Sequence, residues 1–355
     1  LQVEHPVTEA ITGLDLVAWQ IRVAQGEPLP ITQAEVPLNG HAIEVRLYAE
    51  DPANDFLPAT GTLALYRESS QGPGRRVDSG VAEGDEVSPF YDPMLGKLIA
   101  WGETREQARL RLLAMLDEFA IGGLRNNLAF LRRIIAHPAF AQAELDTGFI
   151  PRYQKDLLPA AEGLTEEFWQ LAAQAYLSTA AVTIRSDDAH SPWSTTRGLR
   201  LGGPSEVTLH LACGAESRSM VMRSDSQQGS RLNGEHLLIE RDGVRRQTIA
   251  IRRADTLYLQ WEGDVHAIRS VDPIAEVDVS QGHQGGLTAP MNGSIVRVLV
   301  SVGEQVQVGT PLVVLEAMKM EHSIRANAAG TVAALHCAEG EMVKEGMVLV
   351  ALDAH

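Results

Sequence analysis

Gly293-Ser294-Ile295 recurs as Gly330-Thr331-Val332, an offset of 37 residues set by the separation of Gly293 and Gly330. The same offset carries Gly303-Glu304 onto Gly340-Glu341, Val306 onto Val343, Gly309 onto Gly346, Leu312 onto Leu349 and Leu315 onto Leu352. Two copies of one strand–turn–strand unit predict a flattened β-barrel with pseudo-two-fold symmetry, because neither copy alone could bury its apolar face. Between the copies lies Glu316-Ala317-Met318-Lys319-Met320-Glu321. The first strand ends near Leu315 and the next begins near Ile324, so Lys319 is expected at the tip of a tight hairpin, in solvent. An amine held out in this way suits an enzyme that must acylate it, and the long side chain makes a tether.

Ala317-Met318-Lys319-Met320 resembles the biotin-attachment motif of the biotin-dependent carboxylases. Lipoyl domains share the repeat but usually carry Asp-Lys-Ala at this turn. The resemblance implies an all-β biotinyl/lipoyl-type carrier over 288–355, covalent biotin on Lys319, and Ala317, Met318 and Met320 as cofactor-binding residues, with the two methionines as contacts for a biotin protein ligase. Taken alone, Lys319 would be an ordinary surface lysine and the two methionines core gap-fillers. Ala289-Pro290-Met291-Asn292-Gly293 fits the first strand of such a carrier. Val279–Gly286, rich in Gly, Gln and Ser, reads as a linker, and 281–287 is taken as the linker between the domain limits.

Upstream, residues 159–280 read as one Ala-rich helix over Leu164–Ile184 followed by short alternating runs. These are Leu199–Leu201, Glu206–Ala212, Ser219–Arg223, Leu237–Glu240, Gln247–Arg252, Thr256–Trp261 and Asp264–Ser270. Gly202-Gly203-Pro204, Asn233-Gly234, Asp242-Gly243 and Glu262-Gly263 separate them, as hairpin turns do. A helix plus a small antiparallel β-barrel is predicted, with Trp169, Trp193 and Trp261 read as core packing ahead of a role in docking a partner subunit. The segment resembles the domain that joins an acyl-CoA carboxylase α subunit to its carboxyltransferase β subunit. Ser191-Pro192-Trp193, Gly198–Leu201 and Glu316–Arg325 look most like the methylcrotonyl type.

Residues 1–158 read as mixed α/β. A helix over Asp15–Gln25 is closed by Gly26, His41–Tyr48 alternates as a strand, and Thr104-Arg-Glu-Gln107 is a capping-box pattern opening a helix over Arg105–Phe119. A further helix over Leu124–Ala136 stops at His137-Pro138. Leu1–Glu9, Gly40–Arg46, Ala49–Pro52, Phe56–Pro58, Tyr91–Met94 and Gly96–Ile99 resemble the C-terminal part of ATP-grasp biotin carboxylases. The resemblance implies that Glu4 is the general base that deprotonates bicarbonate for attack on ATP. It implies that Gln2 and Val3 hold bicarbonate, and that Arg46 stabilises the enolate of the biotin ureido group. A carboxylate beside a substrate anion can act as a base once a guanidinium offsets the repulsion. A guanidinium can also place two donors on a developing oxyanion. Taken without the family, Glu4 is a solvated carboxylate and Arg46 a half-buried strand residue.

The resemblance further implies ATP with Mg2+ or Mn2+ as cofactors of the intact carboxylase domain, no metal held by this chain itself, and assembly into a hetero-oligomer. The residues that chelate Mg-ATP in the family lie upstream of its Leu-Gln-Val-Glu motif, so the chain reads as the C-terminal piece of something longer and is not expected to carboxylate biotin alone. Acyl-CoA is expected on the β subunit, with 3-methylcrotonyl-CoA in leucine degradation ahead of propionyl- or geranyl-CoA. The alternative reading is a non-catalytic carrier and assembly module. The 355 residues, 45% hydrophobic with a net charge of −16, fit a multidomain protein and lack the basic footprint of nucleic-acid binders. No run of about 18 apolar residues predicts a membrane span. Cys213 and Cys337, far apart and without metal-ligand spacing, read as free structural thiols in a reducing compartment, and the expected location is a bacterial cytoplasm.

Overall fold

The computed structural model describes residues 1–159, 163–180, 206–223, 230–241, 244–271, 286–317 and 320–354. Leu199–Leu201, Trp193, the Gly202-Gly203-Pro204 and Asp242-Gly243 turns, the end of the Leu164–Ile184 helix and most of Val279–Gly286 lie outside them.

In the N-terminal region a three-stranded antiparallel sheet runs in the order His41–Tyr48, Met94–Gly102, Arg75–Ser79. Alternation sorts its faces. Val45, Leu47, Leu98 and Val77 are buried on one side, where helix Arg105–Glu118 packs with Ala108, Leu112, Met115 and Leu116. The other side carries Glu44, Arg46, Lys97 and Asp78 and is crossed by helix His5–Thr12, an element the sequence reading does not anticipate. Pro6 in its first turn and Gly13 at φ 70° delimit it. The Asp15–Gln25 helix forms as Leu16–Ala24, capped by Asp15 and closed by Gly26 at φ 89°. Its apolar residues Val17, Ile21 and Val23 are exposed.

Two helix boundaries differ from expectation. Thr104 caps Gln107 as predicted, but the Gln107 side chain returns to the amide of Glu103 rather than Thr104, and the helix ends at Glu118 because Phe119 turns extended. The Leu124–Ala136 helix starts only at Leu128, since Asn126 and Asn127 spend their side chains on local and strand contacts instead of helical turns.

The middle unit is helix Glu166–Ala180 against a seven-stranded antiparallel sheet. The strand order is Glu216–Arg223, Glu206–Cys213, Asp264–Ser270, Thr256–Trp261, Val244–Arg253, His236–Arg241, Ser230–Asn233. The helix touches both edge strands, so the sheet curls around it in the manner of a barrel. Phe168 and Trp169 are fully buried in that core, and Phe168 meets Trp169, Trp261 and His266 edge-on. Each such burial contributes roughly 1.5–3 kcal/mol. The Glu262-Gly263 turn has both residues at positive φ (52° and 91°), as a two-residue hairpin requires. Strand Ser230–Asn233, unforeseen from the alternation, pairs with His236–Arg241 around Gly234-Glu235, one residue beyond the expected Asn233-Gly234 turn.

The repeat region builds two four-stranded sheets. One runs Gly286–Thr288, Val348–Ala354, Gly330–Leu335, Gln305–Val306; the other runs Met320–Arg325, Pro311–Ala317, Gly293–Val298, Met342–Val343. Each sheet therefore mixes strands from both sequence copies. The symmetry reaches the irregularities: the register slips between Ile295 and Arg297 and again between Val332 and Ala334. Gly303 and Gly340 turn at φ 88° and 82° and donate to the carbonyls of Val332 and Ile295, each reaching into the other copy. Ala289, Ile295, Val306, Leu312 and Val313 and their counterparts Ala326, Val332, Val343, Leu349 and Val350 fill one core.

Two expectations are corrected here. Gly286 and Leu287, read as linker, pair with Ala351 and Val350 and complete a sheet edge. Ala289–Asn292, read as the first strand, precede a strand that begins at Gly293.

A Cβ on Gly293 would sit 2.6 Å from the Glu316 carbonyl and 3.1 Å from the Leu315 side chain. Gly293→Ala is therefore expected to lower the stability of this barrel by roughly 1–3 kcal/mol. The check is the urea midpoint of the carrier's unfolding transition; an unchanged midpoint would show that these strands can separate freely.

Candidate functional site

The sheet face under helix His5–Thr12 gathers the residues singled out near the N-terminus. Gln2, Val3 and Glu4 form the turn that opens the helix: the Gln2 carbonyl accepts from the His5 amide at 3.2 Å and lies 2.9 Å from His5 Nδ1. Glu4 Oε2 accepts from Arg46 Nη2 at 2.8 Å, with both side chains about half exposed (53% and 39%) and so reachable by a small anion. Lys97 Nζ donates to the Val3 carbonyl at 3.1 Å and lies 3.6 Å from Asp78 Oδ2. The register explains the grouping: Arg46 is opposite Lys97, and Lys97 opposite Asp78, so the three project from one face of three strands.

Lys97, Glu44 and Asp78 carry no assigned role in the sequence reading, yet they frame this site. Glu44 lies two residues from Arg46 on the same strand face, and its Oε2 is buried without a hydrogen-bond partner. Burial pushes its carboxyl above the usual range, opposed by Lys97 and Arg46. At Asp78 burial raises the carboxyl, but the Arg76 guanidinium and Lys97 together hold it below the usual value. Alternation along His41–Tyr48 already put Glu44 beside Arg46; nothing local in sequence brings in Lys97 or Asp78.

Asn127 fixes the far end of the Arg46 strand. Its Oδ1 accepts from the Tyr48 amide at 2.9 Å, and its Nδ2 donates to Glu50 Oε1 at 2.9 Å and to the Arg46 carbonyl at 3.3 Å. It is 3% exposed, so these bonds are shielded from competing water.

In the barrel, Pro311–Ala317 pairs with Met320–Arg325 in a hairpin whose last partners are Ala317 and Met320. Met318 and Lys319, the two residues between them, lie outside the described residues. Ala317 is buried against Gly293, while Glu316 and Glu321 face one another one step back. A hairpin in register up to Ala317 and Met320 fits an attachment lysine: the strands leave only two residues to connect them. His322, next along, has a buried Nε2 with no partner, and burial holds its imidazole below the usual value against the opposing pull of Asp55. The barrel and the Glu4–Arg46 face thus each bring their own candidates together.

Family models match four stretches of the chain. Residues 44–152 match the biotin carboxylase C-terminal domain, 165–273 the BT domain of the methylcrotonyl-CoA carboxylase alpha subunit, and 286–352 the biotin-requiring enzyme family. Residues 1–32 match the ATP-binding domain of the carbamoyl-phosphate synthase L chain. Three such regions in this order are similar to the biotin carboxylase, BT and biotin-carrying parts of biotin-dependent carboxylases.

The chain is similar to the mitochondrial methylcrotonoyl-CoA carboxylase subunit alpha of Mus musculus, 37% identical over 99% of this chain and 52% of the relative. It is also similar to the mitochondrial propionyl-CoA carboxylase alpha chain of Homo sapiens, 35% identical over 99% and 52%. The chain therefore spans about half the length of the curated relatives it matches. The biotin carboxylase domain of Hydrogenobacter thermophilus 2-oxoglutarate carboxylase is 38% identical over 46% of this chain and 35% of its own, with a TM-score of 0.44.

Proposed function

We propose that this chain supplies the carrier, the assembly domain and part of the carboxylase site of an acyl-CoA carboxylase α subunit acting on 3-methylcrotonyl-CoA, in leucine degradation in a bacterial cytoplasm. The match of residues 165–273 to the BT domain of the methylcrotonyl type carries the reading. The domain limits we propose are 1–158, 159–280 and 288–355. In this reading Lys319 is acylated by a biotin protein ligase that contacts Met318 and Met320, and Ala317 belongs with them to the cofactor-binding motif. Biotin, once attached, supplies a ureido nitrogen that takes up a carboxyl group and later releases it.

The chain's own residues have distinct tasks. Glu4 removes the proton from bicarbonate, and Gln2 and Val3 orient that anion in the turn that Lys97 holds through the Val3 carbonyl. Arg46 offsets the repulsion between Glu4 and the anion and places donors on charge that develops at the ureido oxygen. Following the family resemblance, the residues that chelate ATP with its Mg2+ or Mn2+ are assigned to the part of the carboxylase upstream of the Leu-Gln-Val-Glu motif. The chain alone is expected to show no bicarbonate-dependent ATPase activity, and detecting such activity would overturn that assignment.

The test of substrate is assembly of the complete α subunit with a carboxyltransferase β subunit as a hetero-oligomer. ATP-dependent incorporation of labelled bicarbonate into methylcrotonyl-, propionyl- and geranyl-CoA is then compared. A preference for propionyl-CoA, the substrate named in the human relative, would replace the methylcrotonyl reading.

Deleting residues 279–285 in that enzyme is expected to lower overall turnover while sparing carboxylation of free biotin, because the carrier must travel between two sites. Equal loss of both activities would show that the segment supports the fold instead. Gly286 is left out of the deletion because it belongs to a strand.

A further inference from the structure

The Asp55–Thr60 loop of the carboxylase region touches the carrier barrel directly. Asn292 Nδ2 donates to Thr60 Oγ1 at 2.8 Å, and Leu57 packs against the barrel's hydrophobic core. His322 of the barrel feels the Asp55 carboxylate. The contact thus combines a polar clasp, an apolar knob and a charged group, each from a different residue of one short loop.

Both sides are built before they meet. On the barrel, Asn292 Oδ1 accepts from the Glu345 amide at 2.7 Å, which fixes the side chain and leaves its NH2 pointing outward. On the carboxylase side, Asp55 and Phe56 both adopt left-handed backbone (φ 51° and 57°), a conformation that a bulky residue rarely takes. The Phe56 ring is anchored edge-on against Phe130 with centroids 5.1 Å apart. Leu57 and Pro58 pair with Asp51 and Glu50.

The placement has a direction. Asn292 immediately precedes Gly293, which lies against Glu316 and Ala317, so the clasp is at the end of the barrel that carries the Lys319 hairpin. Glu50 and Asp51, partners of the loop, follow Arg46 along the same stretch of chain, and Asn127 ties that stretch together through the Arg46 carbonyl and the Glu50 carboxylate. The geometry points to the Asp55–Thr60 loop as the seat on which this chain's own carrier rests when it offers Lys319 to the Glu4–Arg46 site. This rests on the reading of Lys319 as the biotin-bearing residue.

Two measurements test it. In the full chain carrying Lys319→Arg, Thr60→Cys with Asn292→Cys is expected to form a disulfide joining positions 60 and 292 within one chain, located by peptide mass mapping. Its absence, or a link found only between chains, would overturn the seat; because this arm needs no biotin, it is read even where the biotin assignment fails. In the complete biotinylated enzyme, Thr60→Val removes the hydroxyl at nearly constant shape. It is expected to slow carboxylation of the tethered biotin about fivefold, the effect of one hydrogen bond, with free biotin carboxylated at the wild-type rate. An equal loss on both substrates, or no loss on either, would overturn the seat.

Discussion

Lys319→Arg abolishes the biotin-sized mass increment that the wild-type chain acquires when co-expressed with a biotin protein ligase: that is the expected result of largest effect. The substitution keeps the charge and the length of the side chain but replaces a primary amine, which a ligase can acylate once it loses a proton, with a guanidinium that stays protonated. The barrel itself is indifferent to the change, since its core is drawn from Leu312, Val313, Leu315, Val332, Leu349 and their neighbours. Loss of the increment with an unchanged fold would assign the attachment to Lys319. Retention of the increment in the variant would move it to another lysine. No increment on folded wild type would mean that the Ala317–Met320 hairpin is not a biotin site, and lipoyl transfer would become the reading to test.

The second large effect is expected at the Glu4–Arg46 pair in the complete enzyme. Glu4→Gln removes the base, and loss of a positioned general base lowers rates by roughly 10²–10⁴. Arg46→Met removes the donors beside the developing charge, worth roughly 10²–10³. The two groups share a 2.8 Å bond, so each variant also strands its partner, and the double variant is expected to be far less impaired than the product of the singles. The measurement is the rate of free-biotin carboxylation at saturating ATP for both singles and the double. Multiplicative losses would mean that the two residues act independently, and wild-type rates in Glu4→Gln would remove Glu4 from the chemistry.

Much of the carrier was legible in the chain because its information is repeated. An offset of 37 residues marks the same turns and the same apolar positions twice, and glycines at Gly303 and Gly340 are needed for backbone conformations that other residues resist. What the repeat did not reveal is that each sheet interleaves strands from both copies. Strand order is a non-local choice, made by which arrangement closes the core. The same holds at Gly286 and Leu287: their composition is that of a linker, and only the open edge beside Val348–Ala354 draws them into a sheet.

At the carboxylase face, the sequence by itself determined the individual candidates. Gln2, Val3, Glu4 and Arg46 stand out by resemblance to a family motif, and the period-two alternation of His41–Tyr48 sets Glu44 and Arg46 on one side. Tertiary structure alone decided who surrounds them. Lys97 and Asp78 enter because antiparallel register places them in one row with Arg46. Asn127, distant in sequence, leaves its expected helix to clamp the Arg46 strand. The seat at Thr60 joins residues 232 positions apart. Such pairings follow from side chains competing for one shared core and one limited set of buried hydrogen-bond partners, a global condition that no local window of sequence expresses.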